Sequence, residues 1–327
     1  MMKHVSILVP EGDGSLIDII GSYKAFNRVN KYMMDNGRKP MFTVQLVGTK
    51  TLSIDGGIFS IKPEVSLEQV TKTDLVIIPA MGWNFSATLA ANEHLLPWIV
   101  DHYRRGSEVA SMCVGGFLLA STGLLNGRSC STHWMAADTF RKMFPEVNLV
   151  VEKIITDEHR IYTNGGALSF VNLLLYLIEK YCGRDVAIFC SKVFEVDIDR
   201  HCQSTFTMFT GLKDHQDEEI KKAQLFIESN VDKKVSIEDL AARLGVGRRN
   251  FDRRFIKATY NTPVEYLQRA KVEAAKKALE LSRKTINEVM YDVGYTDLKA
   301  FREVFKKITG LTPLDYRNKY NKEAFAV

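Results

Sequence analysis

The chain has 327 residues, 46% hydrophobic and 25% charged, a composition that argues against a disordered or fibrous polymer and suits a globular protein with at least two cores. The net charge is +5, but residues 1–215 hold 21 Lys and Arg against 22 Asp and Glu, whereas residues 216–327 hold 23 against 17, so the charge excess that phosphate would need lies in the C-terminal third. The five cysteines (113, 130, 182, 190 and 202) are odd in number and lack CxxC spacing, which argues against a disulfide framework and a zinc site and for a reducing cytoplasm.

From the N-terminus, apolar runs predict strands at His4–Pro10, Phe42–Gly48, Asp74–Pro79 and Glu108–Met112, with an amphipathic helix over Ser15–Asn36 and another over Val114–Leu125. Ile161–Tyr162 then leads through Thr163-Asn164-Gly165-Gly166 into an apolar helix, Ala167–Tyr181. Strands alternating with helices predict an α/β domain, a mostly parallel sheet with helices on both faces. The opening apolar run is too short for a signal peptide, and nothing later is long and apolar enough to span a bilayer, so no membrane partner is expected. No metal and no cofactor are expected either.

The polar cluster Lys213–Glu219 predicts a linker entering a new helix. We divide the chain into a domain over 1–210, a linker over 211–218 and an all-α domain over 219–322 with two helix-turn-helix units, 236–257 and 285–308. In the first, Ser236 and Asp239 have capping-box spacing, Gly245 makes the turn, and Phe251 and Phe255 face inward. Arg248, Arg249, Asn250, Arg253 and Arg254 are thereby pushed outward, where arginine can fork onto guanine and asparagine onto adenine, or either can hold phosphate. The second unit repeats the plan, with Gly294 at the turn, Phe301 and Phe305 inside, and Thr296, Asp297, Lys299 and Arg302 leading the exposed face. Pro263–Leu281 between them has the length and stripe of a connecting helix. Two readers at fixed separation can enter successive stretches of one major groove.

Over residues 219–320 the segments RAKVEAAKKAL and DVGYTDLKAFREVFKKITGLTPLDYR, and the spacing between them, resemble the AraC/XylS family DNA-binding domain. Similar proteins usually carry a small capping residue such as serine where Gly247 stands, glycine where Tyr260 stands and a basic residue where Glu303 stands; these departures bear on particular base contacts, not on the fold. The resemblance implies promoter DNA and RNA polymerase as partners.

In the first domain, EVASMC runs into VGGFLLA, placing Cys113 at a strand-to-helix junction where helix N–H groups favour a thiolate. By spacing alone this is a nucleophile-elbow arrangement with cysteine in place of serine, although a buried cysteine at a strand end is more often plain packing. Together with IIPAMG, GLLNGRSCSTHW and TNGG, the region from residue 4 to 183 resembles the PfpI-like branch of the class I glutamine amidotransferase-like superfamily, and the whole chain resembles GlxA-type transcriptional regulators. The resemblance makes Cys113 the elbow cysteine, Asp18 its acidic partner, Gly82 part of a donor loop, and His133 and Trp134 neighbours of the same cleft. Val114 follows Cys113 where peptidase-like relatives carry histidine and isonitrile hydratases carry threonine, and valine can neither take nor give a proton. His102 and His201 carry no partner signal, while Arg200 and Gln203 in RHCQSTF suit a hinge as well as a ligand.

The expected function is therefore a DNA-binding regulator, not an enzyme, whose first domain senses a small-molecule effector at the cleft formed by Asp18, Gly82, Cys113, Val114, His133 and Trp134, and which pairs as a homodimer. The alternative is a cysteine-dependent hydrolase or hydratase acting on a small nitrogen compound.

Overall fold

The computed structural model describes residues 2–200 and 202–321, which form two compact units dividing between Gln203 and Ser204. In the first unit the strands are β1 (Lys3–Leu8), β2 (Phe42–Val47), β3 (Leu52–Ile54), β4 (Phe59–Ile61), β5 (Leu75–Ile78), β6 (Glu108–Ser111), β7 (Ser129–Cys130), β8 (Asn148–Leu149), β9 (Ile155–Glu158) and β10 (Ile161–Asn164). The helices are α1 (Leu16–Asp35), α2 (Phe85–Ala91), α3 (Leu95–Arg104), α4 (Gly116–Ser121), α5 (Ala137–Met143), α6 (Phe170–Cys182) and α7 (Arg184–Phe194).

Six strands make the main sheet in the order β2-β1-β5-β6-β10-β9. All neighbours run parallel except β9, which pairs antiparallel with β10 at the edge. The two-residue period of a strand sends alternate side chains to opposite faces. Val5, Ile7, Leu75 and Ile77 accordingly join one core with α1, α6 and α7, while Leu8, Val76, Ile78 and Val109 join a second core with α3 and α4. Both faces are covered, the usual condition of a parallel sheet. The predicted α/β architecture is the one observed, with additions: β9, the β3–β4 hairpin, the β7–β8 pair and helices α2, α3, α5 and α7. Both glycine-led helices begin with a short 3-10 turn, Cys113–Gly115 before α4 and Ala167–Ser169 before α6.

The second unit contains α8 (Glu218–Ser229), α9 (Ile237–Arg243), α10 (Arg248–Thr259), α11 (Pro263–Leu281), α12 (Ile286–Asp292), α13 (Leu298–Thr309) and α14 (Pro313–Tyr320). Its expected end at 322 falls outside the described residues. Residues 204–210 belong structurally to this unit: the Thr205 hydroxyl donates to the Thr309 carbonyl at 3.1 Å, and Lys276 donates to the Thr207 carbonyl at 2.7 Å. Asp217 caps α8 by accepting from Ile220 N–H, so the polar cluster enters a helix at Glu218.

Two repeats share α11. Tyr266 and Ala270 of α11 enter the core of α8, α9 and α10, whereas Val272, Ala275 and Leu279 enter that of α12, α13 and α14. The repeats match in polar detail: Tyr266 donates to Glu228 and Tyr316 to Glu280, both at 2.5 Å. Ser236 caps α9, and Thr285 with Glu288 forms a full capping box at α12. One mismatch is strained: α10 ends on Tyr260 at φ 54°, α13 on Gly310 at φ 79°. Only glycine takes that left-handed conformation without steric cost.

Candidate functional site

Strand β6 delivers Cys113 into a left-handed backbone, φ 53°. A non-glycine residue holds that conformation only when its surroundings fix it. They do: Cys113 N–H donates to Asn164 Oδ1 at 3.3 Å, the Thr132 hydroxyl donates to the Cys113 carbonyl at 2.9 Å, and Asn164 donates to Ser169 Oγ at 2.8 Å. At Gly115 a Cβ would overlap the Pro79 carbonyl, which explains the glycine behind the elbow. The thiol itself is buried. Burial pushes it up to about 11, the charge of Asp18 adds to the rise, and N–H groups of Ala167 and Val114 only partly oppose it. The thiolate favoured by sequence position is thus outweighed by loss of solvent.

Asp18 sits near the start of α1, 4% exposed, and accepts from Ala80 N–H at 2.8 Å. Burial raises its carboxyl to about 6; the opposing influences are hydrogen bonds from Ala80 and Ser15, and no cation acts on it among the described residues. Asp18, Cys113, Val114 and His133 line one cavity of about 340 Å³, together with Asp13, Met81, Trp83 and Leu168. His133 accepts from Met135 N–H at 3.1 Å, and burial lowers its pKa, which favours the neutral ring.

Two expected members stand outside this wall. Gly82 N–H is taken by the Asp13 carbonyl at 3.1 Å, and a Cβ there would lie 2.9 Å from Asp13 Cβ, so the glycine serves close packing and that donor is already used. Trp134 is half-buried and tilts against His133 with centroids 5.7 Å apart. The indole in the cavity is that of Trp83, half-exposed and edge-on to His133 at 5.4 Å. The sequence signal for Trp83 was its place directly after IIPAMG. His102 is a core residue tilted onto Trp98 at 4.1 Å, and His201 lies outside the described residues.

Gln203, 2% exposed, binds the cavity loops from behind. Its Oε1 accepts from Gly166 N–H at 3.0 Å, and its Nε2 donates to the Thr132 carbonyl at 2.9 Å and the Val151 carbonyl at 2.5 Å. The glycine pair of TNGG makes room: a Cβ on Gly165 would lie 2.8 Å from the Gln203 amide, and one on Gly166 2.5 Å from the His133 ring. Gln203 is therefore a residue of the cavity scaffold.

On α10, Phe251 and Phe255 are buried, and Arg249, Asn250, Arg253 and Lys257 form the exposed face. Arg253 donates to Asn250 Oδ1 at 2.9 Å, one turn away. Two predicted contacts are engaged elsewhere. Arg254 forks onto Asp217 at 2.6 and 2.8 Å, tying α10 to the cap of α8. Arg248 is held by both oxygens of Asp252, at 2.9 and 3.0 Å, and by Glu238. Thr296, just before α13, and Lys299 and Arg302 on it are exposed, as are Lys306 and Lys307 further along. Asp297 instead spends its carboxylate as the N-cap, accepting from Ala300 N–H at 2.6 Å. Periodicity places these side chains outward but cannot reveal partners such as Asp217, 37 positions away in sequence.

Residues 3–180 match the model of the DJ-1/PfpI family, and residues 240–319 match that of a helix-turn-helix domain. The chain is 24% identical to the HTH-type transcriptional regulator GbdR of Pseudomonas aeruginosa over 277 residues, covering 84% of this chain and 74% of the relative. It is 23% identical to the HTH-type transcriptional regulator GlxA of Rhizobium meliloti over 220 residues, 66% of this chain and 67% of the relative. In fold, it is similar to a crystal structure of a putative transcriptional regulator protein from Vibrio parahaemolyticus, with TM-score 0.53 and 22% identity over 59% of this chain and 99% of that one. No helix among the described residues is long and apolar enough to cross a membrane.

Proposed function

The chain belongs to the DJ-1/PfpI family and continues into a helix-turn-helix domain, and on that premise we propose a GlxA-type, ligand-sensing transcriptional regulator that reads promoter DNA with α10 and α13. The observation that carries this reading is the doubled helix-turn-helix built on one helix, α11, whose two halves serve two separate cores. Each repeat presents exposed basic and polar side chains on its second helix: Arg249, Asn250, Arg253 and Lys257 on α10, and Lys299, Arg302, Lys306 and Lys307 on α13. Such faces suit base edges and phosphates in the major groove. A homodimer with paired DNA sites, and contact with RNA polymerase, complete the proposal.

The Cys113 cavity is proposed as the effector site. Among the described residues its wall carries two carboxylates, Asp13 and Asp18, the Trp83 indole, the Cys113 thiol, the His133 ring, Ser15 and apolar side chains, with no lysine or arginine. That lining favours a small molecule with a cationic or hydrogen-donating head. Gln203, the last residue of the first unit, supports a link from site to output, since its partners Gly166 and Thr132 adjoin the cavity residues Ala167 and His133. Covalent chemistry at Cys113 is not part of this function: the thiol is pushed up to about 11, and Val114 supplies no proton relay.

The test is enrichment of DNA from a random pool by the full chain, followed by Arg249→Ala. The wild type should enrich a consensus whose affinity falls with added salt, and loss of Arg249 should cost about 1–3 kcal/mol where it reads a base. A chain that enriches no sequence, with or without metabolite extract, would end this proposal.

A further inference from the structure

The second unit buries a lysine whose ammonium is bonded by backbone carbonyls and by no carboxylate among the described residues, although the charge of Asp232 acts on it. Lys271, in the middle of α11 and 5% exposed, donates to the Val293 carbonyl at 2.8 Å, the Lys233 carbonyl at 3.0 Å and the Gly294 carbonyl at 3.3 Å. An ammonium has three hydrogens and no acceptor, so three converging carbonyls match its full capacity. Val293 is the C-cap of α12, the end at which free carbonyls and the helix dipole favour a cation.

The carbonyls come from different repeats. Val293 and Gly294 form the turn between α12 and α13, whereas Lys233 lies in the loop between α8 and α9. Gly294 is at φ 67°, and a Cβ there would lie 2.6 Å from Lys271 Nζ and 2.7 Å from the Asp232 carbonyl oxygen. The turn of the second repeat, the loop of the first and the shared helix therefore meet at one point. Tyr295, next along the turn, has its ring centroid 5.4 Å from the same ammonium.

This junction is distinct from the apolar packing. The buried side chains of the two repeats form separate clusters, each closed by its own half of α11; besides α11, the segment 204–210 joins them, through Phe209 in the first cluster and Thr205 on the Thr309 carbonyl, and the Lys271 junction adds a tie at the reading turn. We infer that Lys271 is a positioning residue that fixes the spacing and orientation of the two DNA-reading helices, by tying the α8–α9 loop to the α12–α13 turn. The inference rests on the DNA-reading proposal above. Lys271 touches no DNA in this scheme; it holds the second reader in register once the first is engaged, which raises the effective concentration of the second contact.

The experiment uses the full chain with Lys271→Met, which keeps the length and removes the donors, and Lys271→Gln, which restores two N–H groups should the methionine variant fail to fold. DNA enriched by the wild type is tested intact, with either contacted segment scrambled, and with one base pair inserted between the segments. The expected result is a loss of about tenfold or more on the intact site, with affinities for single-segment fragments within about twofold of wild type and a smaller penalty for the inserted base pair. Equal losses on intact and single-segment DNA, or no loss on either, would overturn the inference. If the wild type enriches no DNA, it is the DNA-reading proposal that fails, a result distinct from either of these.

Discussion

Replacing Asp18 by asparagine should make the first unit more stable at neutral pH. The carboxyl is 4% exposed and raised by burial from its ordinary 3.8 to about 6, which corresponds to a penalty of about 3 kcal/mol on the charged native form. Well below pH 3.8 the group is neutral in both folded and unfolded chains and contributes nothing. As pH rises from about 4 to 6 the unfolded chain ionises first, so native stability falls, and above 6 the full penalty persists. Asparagine removes that penalty and can still accept from Ala80 N–H, but its own N–H groups cost about 1 kcal/mol if they find no partner. The net expectation is a gain of about 2 kcal/mol at pH 7.5, vanishing near pH 4. All three tryptophans, 83, 98 and 134, lie in the first unit, so urea unfolding followed by tryptophan fluorescence reads this unit within the full chain. A variant no more stable than wild type at pH 7.5, or one whose gain is the same at pH 4, would refute the reasoning.

Two further predictions separate structural from functional roles. Arg254→Ala should destabilise the second unit by about 1 kcal/mol, a value discounted because the Arg254–Asp217 pair is partly solvated, and should leave the enriched DNA consensus unchanged; a consensus altered at one position would return Arg254 to the reading face. Cys113, pushed up to about 11, should be alkylated by iodoacetamide at pH 7.5 about a hundredfold more slowly in the native than in the urea-unfolded chain. The site is identified by mass spectrometry against Cys113→Ser, and equal rates would show a solvated or activated thiol.

The central strands and the tandem helices were legible because their periods are local. The buried strands read as short apolar runs, and Phe251 with Phe255, like Phe301 with Phe305, marks an inward helix face. What escaped depends on partners distant in sequence. The edge strand β9, ITDE, is polar and holds its place by pairing with β10. Asp217 and Asp297 look like surface charges until their cap geometry is seen. Gly165 and Gly166 signal a turn, yet their reason is the approach of Gln203 and His133. Tyr260 shows the converse: a departure from the family pattern visible in sequence and explained by a backbone at φ 54° that suits glycine better.

The cavity gathers several costs in one place. Cys113 at φ 53° and Ala167 at φ 47° both hold strained backbones, worth on the order of 1–3 kcal/mol each, and Asp18 is buried with no cation acting on it among the described residues. A unit selected for stability alone would replace at least the carboxylate, since an uncharged side chain of similar size fills the same space without the penalty. The penalty disappears when a bound molecule supplies a positive or donating group to Asp18, so the occupied and empty states differ in free energy at the residue the cavity is built around. That difference is what an effector needs in order to shift a conformational equilibrium, because a molecule with equal affinity for both states shifts nothing. The proposed effector site accounts for these features together, and burial of the Cys113 thiol works against its ionisation in the same cavity.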